Sequence, residues 1–259
     1  MPTAPDPTTA PPARGSPPGP ADKVRIRFRK DGALRLLSHH DLLRTFERML
    51  RRAELPFRRT RGFNPRPRLV FALSLPLGVV GRDEVVELEL DEVLPPEEIH
   101  ERLSRQSPAG LAILGVRRID PRAGVHVRGL SYGLAVPADR LPDLRRRVAE
   151  VLAAPHCWVE RTRPPQRRID LRPLIRDARL AKSGGGAFLE IDLSLTAAGT
   201  ARPEELLTLL GLRDLLDSGA VLERTRLELE EDARAGTEPG PSTGRIHDAS
   251  TPNRPKDEG

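Results

Sequence analysis

Residues 24–29 read VRIRFR, and this stretch decides how the rest of the chain is interpreted. Its apolar positions are Val24, Ile26 and Phe28, and its basic positions are Arg25, Arg27 and Arg29. This strict alternation is the pattern of a β-strand that is buried on one face only. The chain therefore starts its folded part with a strand that needs a helix or another layer on its apolar side.

The sequence after this strand predicts a helix, two strands, a second helix and a last strand. Ser38 is a good N-cap for a helix that runs to about Glu54, because its side chain can accept from the first-turn amides. Further strands are predicted at 69–75, 84–90 and 111–118, and the second helix at 95–106. This order of elements is typical of the ferredoxin-like split βαβ fold.

The second half of the chain follows the same order of elements. A strand near 130–136 and a helix near 141–152 come first. Strand-like stretches then follow near 157–162, 167–181 and 187–195, with a helix near 203–211 and a strand near 220–230. We therefore predict an α+β fold of two tandem ferredoxin-like (split βαβ) modules, residues 23–120 and 129–231.

The two ends of the chain have a different composition. Residues 1–22 contain eight prolines, and residues 232–259 contain almost no apolar side chains, so both are predicted to be disordered. No apolar run approaches the roughly 20 residues of a membrane span, and no signal peptide pattern is present. We expect a cytoplasmic protein. Its one cysteine, Cys157, cannot form a Cys-x-x-Cys zinc site or hold an iron–sulfur cluster by itself, and with Trp158 it is interpreted as core packing.

Basic residues are concentrated near the start of the folded part. Residues 23–70 contain 15 Lys+Arg but only four acidic residues. Arginine, which greatly outnumbers lysine, prefers planar bidentate partners such as phosphate or carboxylate. A GC-rich genome also explains a high ratio of arginine to lysine, but it does not explain the clustering.

The densest group of polar residues is Ser38-His39-His40-Asp41, followed by Arg44. Both histidines fall in the first helical turn, where the helix dipole favours a neutral imidazole. A neutral imidazole suits acid–base chemistry, so His39, Asp41 and Arg44 are the catalytic candidates. The structural alternative is that Ser38 caps the helix, Asp41 complements the dipole and one histidine packs under the sheet. No cluster with metal-ligand spacing lies nearby in the sequence, and we predict no metal site.

The second candidate is the loop at 61–68, RGFNPRPR. Gly62 permits a positive φ, and Asn64 and Pro65 favour a turn. A base of single-stranded or looped RNA can stack on Phe63 while nearby arginines contact phosphates. Phe57 is the other stacking candidate, and the alternative is that the loop only braces a turn. The residues predicted to bind RNA are Arg44, Arg51, Arg52, Arg61, Phe63, Arg66 and Arg68.

The third candidate is the arginine face of the first strand. On an open sheet these side chains could contact nucleic acid, although the aromatic pairs of RNA-recognition modules are missing. The alternative is that Glu87 and Glu89 pair with the arginines across the sheet, because the first strand neighbours the third in this topology.

The stretch from Val24 to about Asp120 resembles the radical-SAM-associated domain of unknown function, in its stand-alone form. The matching residues are Arg27-Phe28, Lys30, Gly32, Leu34 to Arg44, Phe46-Glu47-Arg48, Leu50 to Ala53, Leu55-Pro56, Gly62-Phe63-Asn64-Pro65, Pro67-Arg68, Phe71-Ala72-Leu73 and Leu75-Pro76-Leu77-Gly78.

The resemblance implies a separate radical-SAM enzyme as partner and a role in RNA modification or processing. S-adenosylmethionine and an iron–sulfur cluster would then belong to that partner, with no cofactor in this chain. We expect an accessory protein that binds structured RNA, tRNA or rRNA, through its basic N-terminal module. Two alternatives stay open. One is metal-independent RNA cleavage or group transfer by His39 and Asp41, with Arg35 or Arg44 as anion clamp. The other is a protein-only adaptor whose basic patch docks on an acidic partner.

Overall fold

The computed structural model describes residues 22–161, 166–183, 186–197 and 199–230. One large mixed sheet carries most of the strands, and a few helices cover it. The predicted α+β class is therefore confirmed. The predicted leader, 1–22, lies outside the described residues except for Asp22, and the predicted tail, 232–259, lies outside them entirely.

The first half of the fold closely follows the sequence pattern. Its elements are β1 (Asp22–Lys30), α1 (His39–Arg52), β2 (Leu69–Phe71), β3 (Val80–Leu90), α2 (Pro96–Gln106) and β4 (Leu111–Arg118). A 3-10 helix at Gly32–Leu36 connects β1 to α1. β2 is shorter than predicted, ending at Phe71 and not at residue 75.

The early end of β2 has a physical cause in the second half of the chain. The Arg224 guanidinium donates to the carbonyl oxygens of Leu73 at 3.3 Å and Ser74 at 3.1 Å. These carbonyls therefore accept from a side chain, and the backbone at 73–78 leaves the sheet as a loop.

The second half contains β5 (Val127–Pro137), α3 (Leu141–Ala153), β6 (Trp158–Arg161), β7 (Arg167–Asp170), β8 (Ile175–Ser183), β9 (Gly186–Ser194), α4 (Pro203–Leu209), α5 (Arg213–Asp217) and β10 (Glu223–Leu229). The strand predicted at 167–181 is broken by a 3-10 helix at Arg172–Leu174. Pro173 has no amide hydrogen to donate to a strand ladder, which accounts for the break. β6 and β7 form a separate two-stranded ribbon.

The strands of the two halves join in one sheet of order β4-β1-β3-β10-β5-β9-β8, with β2 also paired to β3. Neighbouring strands are antiparallel except at the junction, where β10 runs parallel to β3. That junction pairs Glu223 with Val80 and Arg224 with Gly81. β2 pairs with β3 further along, at residues 86–88.

The prediction of two tandem ferredoxin-like modules is not confirmed. The sheet is continuous through the junction, and the hydrophobic core of the second half includes Leu75, Val79 and Val85 from the first. The two halves therefore share packing as well as a sheet.

The core of the first half lies between its strands and its two helices. Leu42, Phe46, Met49 and Leu50 line the buried face of α1, as the helical spacing predicts. Phe46 packs edge-to-face on Phe28 and Phe71, with ring centroids 5.0 and 5.5 Å apart. This aromatic cluster fixes α1 and β2 against β1. None of the helices in the described ranges combines the length and the apolar character needed to cross a lipid bilayer.

Candidate nucleic-acid interface

The polar group at the start of α1 is held by its own hydrogen bonds. Ser38 is the N-cap, and its Oγ accepts from the Asp41 amide at 3.2 Å while donating to Asp41 Oδ2 at 2.7 Å. The predicted cap is confirmed. The Arg44 guanidinium lies 3.7 Å from the Asp41 carboxylate. This carboxylate is therefore engaged by both Ser38 and Arg44.

The two histidines of this group differ in their surroundings. The half-buried His39 ring packs edge-on against Phe71, with centroids 5.2 Å apart, and His40 is exposed. His39 is therefore fixed to the aromatic cluster of the core. This contact agrees with the structural alternative for His39, while the catalytic role remains a prediction. Arg35, the alternative anion clamp, donates to the Gly32 carbonyl at 3.1 Å.

The arginine face of β1 is paired with carboxylates. Arg25 Nε donates to Glu87 at 3.1 Å, Arg27 lies 2.6 Å from Asp83, and Arg29 lies 3.0 Å from Asp31. Lys23 also reaches Glu87, at 2.7 Å. The cross-strand pairing of Arg25 with Glu87 is confirmed, and Glu89 lies 3.8 Å from Arg58 and 3.1 Å from Arg68. The β1 face is therefore not a free cationic surface.

Residues 58–68 form a hairpin-like loop that we call the basic hairpin. Its stem is closed by backbone hydrogen bonds from Arg68 to Arg58 and from Thr60 to Arg66, each 2.8 Å long. The stem is attached to β3, because the Arg58 amide donates to the Glu89 carbonyl at 2.9 Å and the Glu89 amide donates to the Arg68 carbonyl at 3.2 Å. The loop predicted from the sequence therefore extends from the end of the sheet.

The tip of the basic hairpin exposes an aromatic ring. Phe63 has a relative exposure of 106%, and its neighbours Arg61, Asn64 and Pro65 are exposed too. Gly62 adopts φ +129°, a conformation that L side chains rarely adopt, so the positive φ suggested by the sequence is confirmed. The large exposed ring has its face available to a partner.

The arginines of the basic hairpin fall into two groups. Arg58 and Arg68 both approach Glu89, at 3.8 and 3.1 Å. Arg61 and Arg66 have no carboxylate oxygen of the described residues within 4 Å. Two guanidinium groups close in sequence to Phe63 are thus unpaired within the described part of the chain.

Phe57 does not have the role that the sequence suggested. It is buried, and Arg59 lies over its ring at 5.4 Å from the centroid. Phe57 therefore braces the base of the basic hairpin, and only Phe63 remains as a stacking group.

Arg51 and Arg52 extend the cationic surface at the end of α1. Both are exposed, and no carboxylate oxygen in the described ranges lies within 4 Å of either. Of the arginines predicted to bind RNA, Arg51, Arg52, Arg61 and Arg66 are therefore unpaired among the described residues, while Arg44 and Arg68 each have a carboxylate partner.

Two features were not found from the sequence. Trp158, expected in the core, is half exposed, and the Arg168 guanidinium lies 4.7 Å from its ring centroid. Cys157 is buried as expected. The second feature is a buried ion pair between Arg224 and Glu84, which are 140 residues apart in the chain. Local sequence patterns carry no signal for such a distant pair.

No group of three or more His, Cys, Asp or Glu side chains in the described ranges is placed to hold a metal ion. The unpaired guanidinium groups, together with Phe63, are suited to a partner that offers phosphates and flat aromatic rings.

Comparison with protein families gives one match that covers most of the chain. Residues 23–203 match the family described as "Uncharacterized protein conserved in bacteria (DUF2344)". The chain belongs to this family. The DUF2344 match includes the motifs of the first half and continues through β5 to β9 of the second. None of the curated proteins compared with the chain matches it.

Solved structures give distant similarities. A protein of unknown function from Galdieria sulphuraria is 14% identical, with a TM-score of 0.24, over 80% of this chain and 98% of its own. A protein described as a dyp-type peroxidase from Shewanella oneidensis is 12% identical, with a TM-score of 0.21, over 74% of this chain and 83% of its own.

Proposed function

We propose that this DUF2344 protein binds structured RNA, tRNA or rRNA, through the basic hairpin and the end of α1. The observation that carries the proposal is the fully exposed Phe63 between Arg61 and Arg66, which have no carboxylate partner within the described residues. An unpaired base in an RNA loop can stack on such a ring, and the guanidinium groups can contact its phosphates.

The ion pairs of the β1 arginines also support the basic hairpin and the end of α1 as the RNA-binding surface. Arginines on the face of β1 are neutralised by Glu87, Asp83 and Asp31, so they offer little to a polyanion. On the proposed surface, by contrast, Arg61 and Arg66 of the basic hairpin and Arg51 and Arg52 of α1 have no carboxylate partner among the described residues. A cation without an internal partner keeps its full attraction for an external phosphate.

We also propose that the protein is an accessory to a separate radical-SAM enzyme in RNA modification or processing. The support is the resemblance of the first half to the radical-SAM-associated domain. In this proposal, S-adenosylmethionine and the iron–sulfur cluster are held by the partner enzyme. We further propose that each half of the fold is a split βαβ unit, and the strand orders β4-β1-β3-β2 and β10-β5-β9-β8 support this description.

The RNA proposal is tested by fluorescence anisotropy with a labelled RNA hairpin that has a single-stranded loop. We expect Phe63→Ala to weaken binding by about 1–3 kcal/mol, the cost of losing one stacked base. We expect Arg61→Gln/Arg66→Gln to flatten the slope of log K against log salt by about 1.4–1.8 units, for two lost phosphate contacts.

The matched control is Arg145→Gln/Arg226→Gln. Both arginines are exposed and lack a carboxylate partner in the described ranges, so this variant loses the same charge from another place. We expect it to retain most of the affinity and the salt slope. An equal loss in both double variants would show general charge attraction and contradict a specific surface.

The partnership is tested by pulling down the tagged full chain from its own host cells, with and without nuclease. We expect a radical-SAM enzyme to be recovered and to be lost after nuclease treatment, because RNA bridges the two proteins. Recovery that is unchanged by nuclease would contradict the bridge and favour the direct adaptor. A radical-SAM enzyme recovered under neither condition would contradict the partnership itself.

A further inference from the structure

A cavity of about 810 Å³ lies where the two halves of the fold meet. The first half contributes the loop that follows β2, with Leu73, Ser74, Pro76 and Leu77. The second half contributes strands β5 and β10 and the chain at 200–205. The loop belongs to the family motif noted in the sequence, and the RNA proposal gives it no role.

A buried ion pair builds the floor of this cavity. Arg224 is completely buried, and its Nε donates to Glu84 at 2.8 Å. The same guanidinium holds the loop through the carbonyl oxygens of Leu73 and Ser74. The position of the loop is therefore fixed by the second half, and the cavity is formed in advance of any ligand.

The cavity is lined by a tyrosine, Tyr132, whose hydroxyl still has hydrogen-bonding capacity. Thr200 Oγ1 is also without a partner among the described residues, but it is buried and not open to the cavity. Tyr132 is buried, and burial raises the pKa of this phenol, so the proton is kept at neutral pH. Within the described part of the chain that proton has no hydrogen-bond acceptor. A buried polar group without a partner costs free energy, which a ligand can recover.

The cavity is lined by side chains of both positive and negative charge. Arg202 is exposed, with no carboxylate oxygen within 4 Å in the described ranges. Glu205 is engaged by Arg161, whose Nε donates to it at 2.6 Å. Glu204 also lines the cavity, and no side-chain partner is found for it in the described chain. The Glu204 carboxylate repels a bound anion and attracts a bound cation. Replacing Glu204 by a neutral residue therefore shows the sign of the ligand's charge, because it strengthens the binding of an anion and weakens that of a cation.

The remaining walls are apolar, with Leu73, Pro76, Leu77, Leu130 and Ala201. Cavities of roughly 300–1,000 Å³ that combine apolar walls with a few polar groups, often between domains, are typical of small-molecule sites. The size and lining of this cavity fit that description.

We propose that this cavity binds a small organic anion, a carboxylate or phosphate attached to an apolar group. The Tyr132 hydroxyl and the Arg202 guanidinium donate to the anionic end. The apolar end lies against the motif loop and Leu130. This site is separate from the basic hairpin and does not depend on RNA binding.

The sequence supplies its own reporter, because Tyr132 is the only tyrosine and Trp158 the only tryptophan. In the full chain, ¹³C-labelled tyrosine gives one ring signal from the cavity, and labelled tryptophan gives one from the β6–β7 ribbon. The probes are phenylacetate and phenyl phosphate, with 2-phenylethanol and 2-phenylethylammonium as neutral and cationic relatives. We expect the Tyr132 signal to shift saturably with at least one anion and to stay in place with the other two probes. A larger response to phenylacetate than to phenyl phosphate would identify a carboxylate site, and the reverse a phosphate site.

Two variants test the assigned contacts. Arg202→Gln is expected to weaken binding about 2–5-fold and Glu204→Gln to strengthen it to a similar extent. Arg226→Gln, an exposed arginine outside the cavity, should leave binding unchanged.

The proposal is overturned if neither anion shifts the Tyr132 signal. It is also overturned if Trp158 shifts equally, which indicates non-specific binding. Tighter binding of the cationic relative, with weakening by Glu204→Gln, would likewise reject an anion site.

Discussion

Replacing Arg224 by methionine is expected to lower the free energy of unfolding by about 3–5 kcal/mol, because the change leaves a buried carboxylate without its partner. Arg224 is completely buried, and the Glu84 side chain is only 4% exposed. The variant also frees the carbonyl oxygens of Leu73 and Ser74. Urea unfolding of the full chain, followed by far-UV circular dichroism, measures the loss.

Two companion variants separate the causes. Glu84→Leu/Arg224→Met removes both charges, so we expect it to recover much of the loss. Arg226→Met changes an exposed arginine on the same strand, and its effect should stay within about 0.5 kcal/mol. If Arg224→Met is no more destabilising than Arg226→Met, the ion pair does not hold the two halves together.

Phe46→Ala is expected to cost about 3–5 kcal/mol of stability, because it leaves a cavity in the aromatic cluster. The Phe46 ring is completely buried and contacts Phe28 and Phe71 edge-to-face. Phe63→Ala removes the same atoms from a fully exposed position, and we expect almost no change in stability. The same unfolding measurement compares the two variants.

This pair of substitutions also separates folding from binding. Phe63→Ala should impair RNA binding in a protein of normal stability. If Phe63→Ala unfolds the chain as readily as Phe46→Ala, the tip of the basic hairpin is a packing element, and its effect on RNA binding says nothing about stacking.

Most elements of the first half could be predicted because their signals are local. The alternation in β1, the Ser38 cap and the proline at the start of α2 each depend on residues close together in sequence. The length of β2 could not be predicted, since it is set by Arg224. The joining of the halves was missed for the same reason: β10 meets β3 through two residue pairs, and neither strand's own pattern specifies its partner.

In the candidate site, too, some features follow from local sequence and others depend on contacts between distant segments. The exposed Phe63 and the left-handed Gly62 follow from local turn chemistry. The pairing of Arg25 with Glu87 follows from strand order, which the element pattern indicates. The pairing of Arg68 with Glu89 and the exposure of Trp158 depend on side-chain packing between distant segments.

The parallel pairing of β10 with β3 has a consequence for how the chain is made. Translation delivers β10 after the other strands of the described chain, and Glu84 is synthesised 140 residues before Arg224. Throughout that interval the Glu84 carboxylate has no Arg224 to pair with, and the edge of β3 at residues 80–81 has no partner strand. The amino-terminal half therefore lacks the partner of its last strand edge until β10 has been synthesised, and the junction forms only after that point.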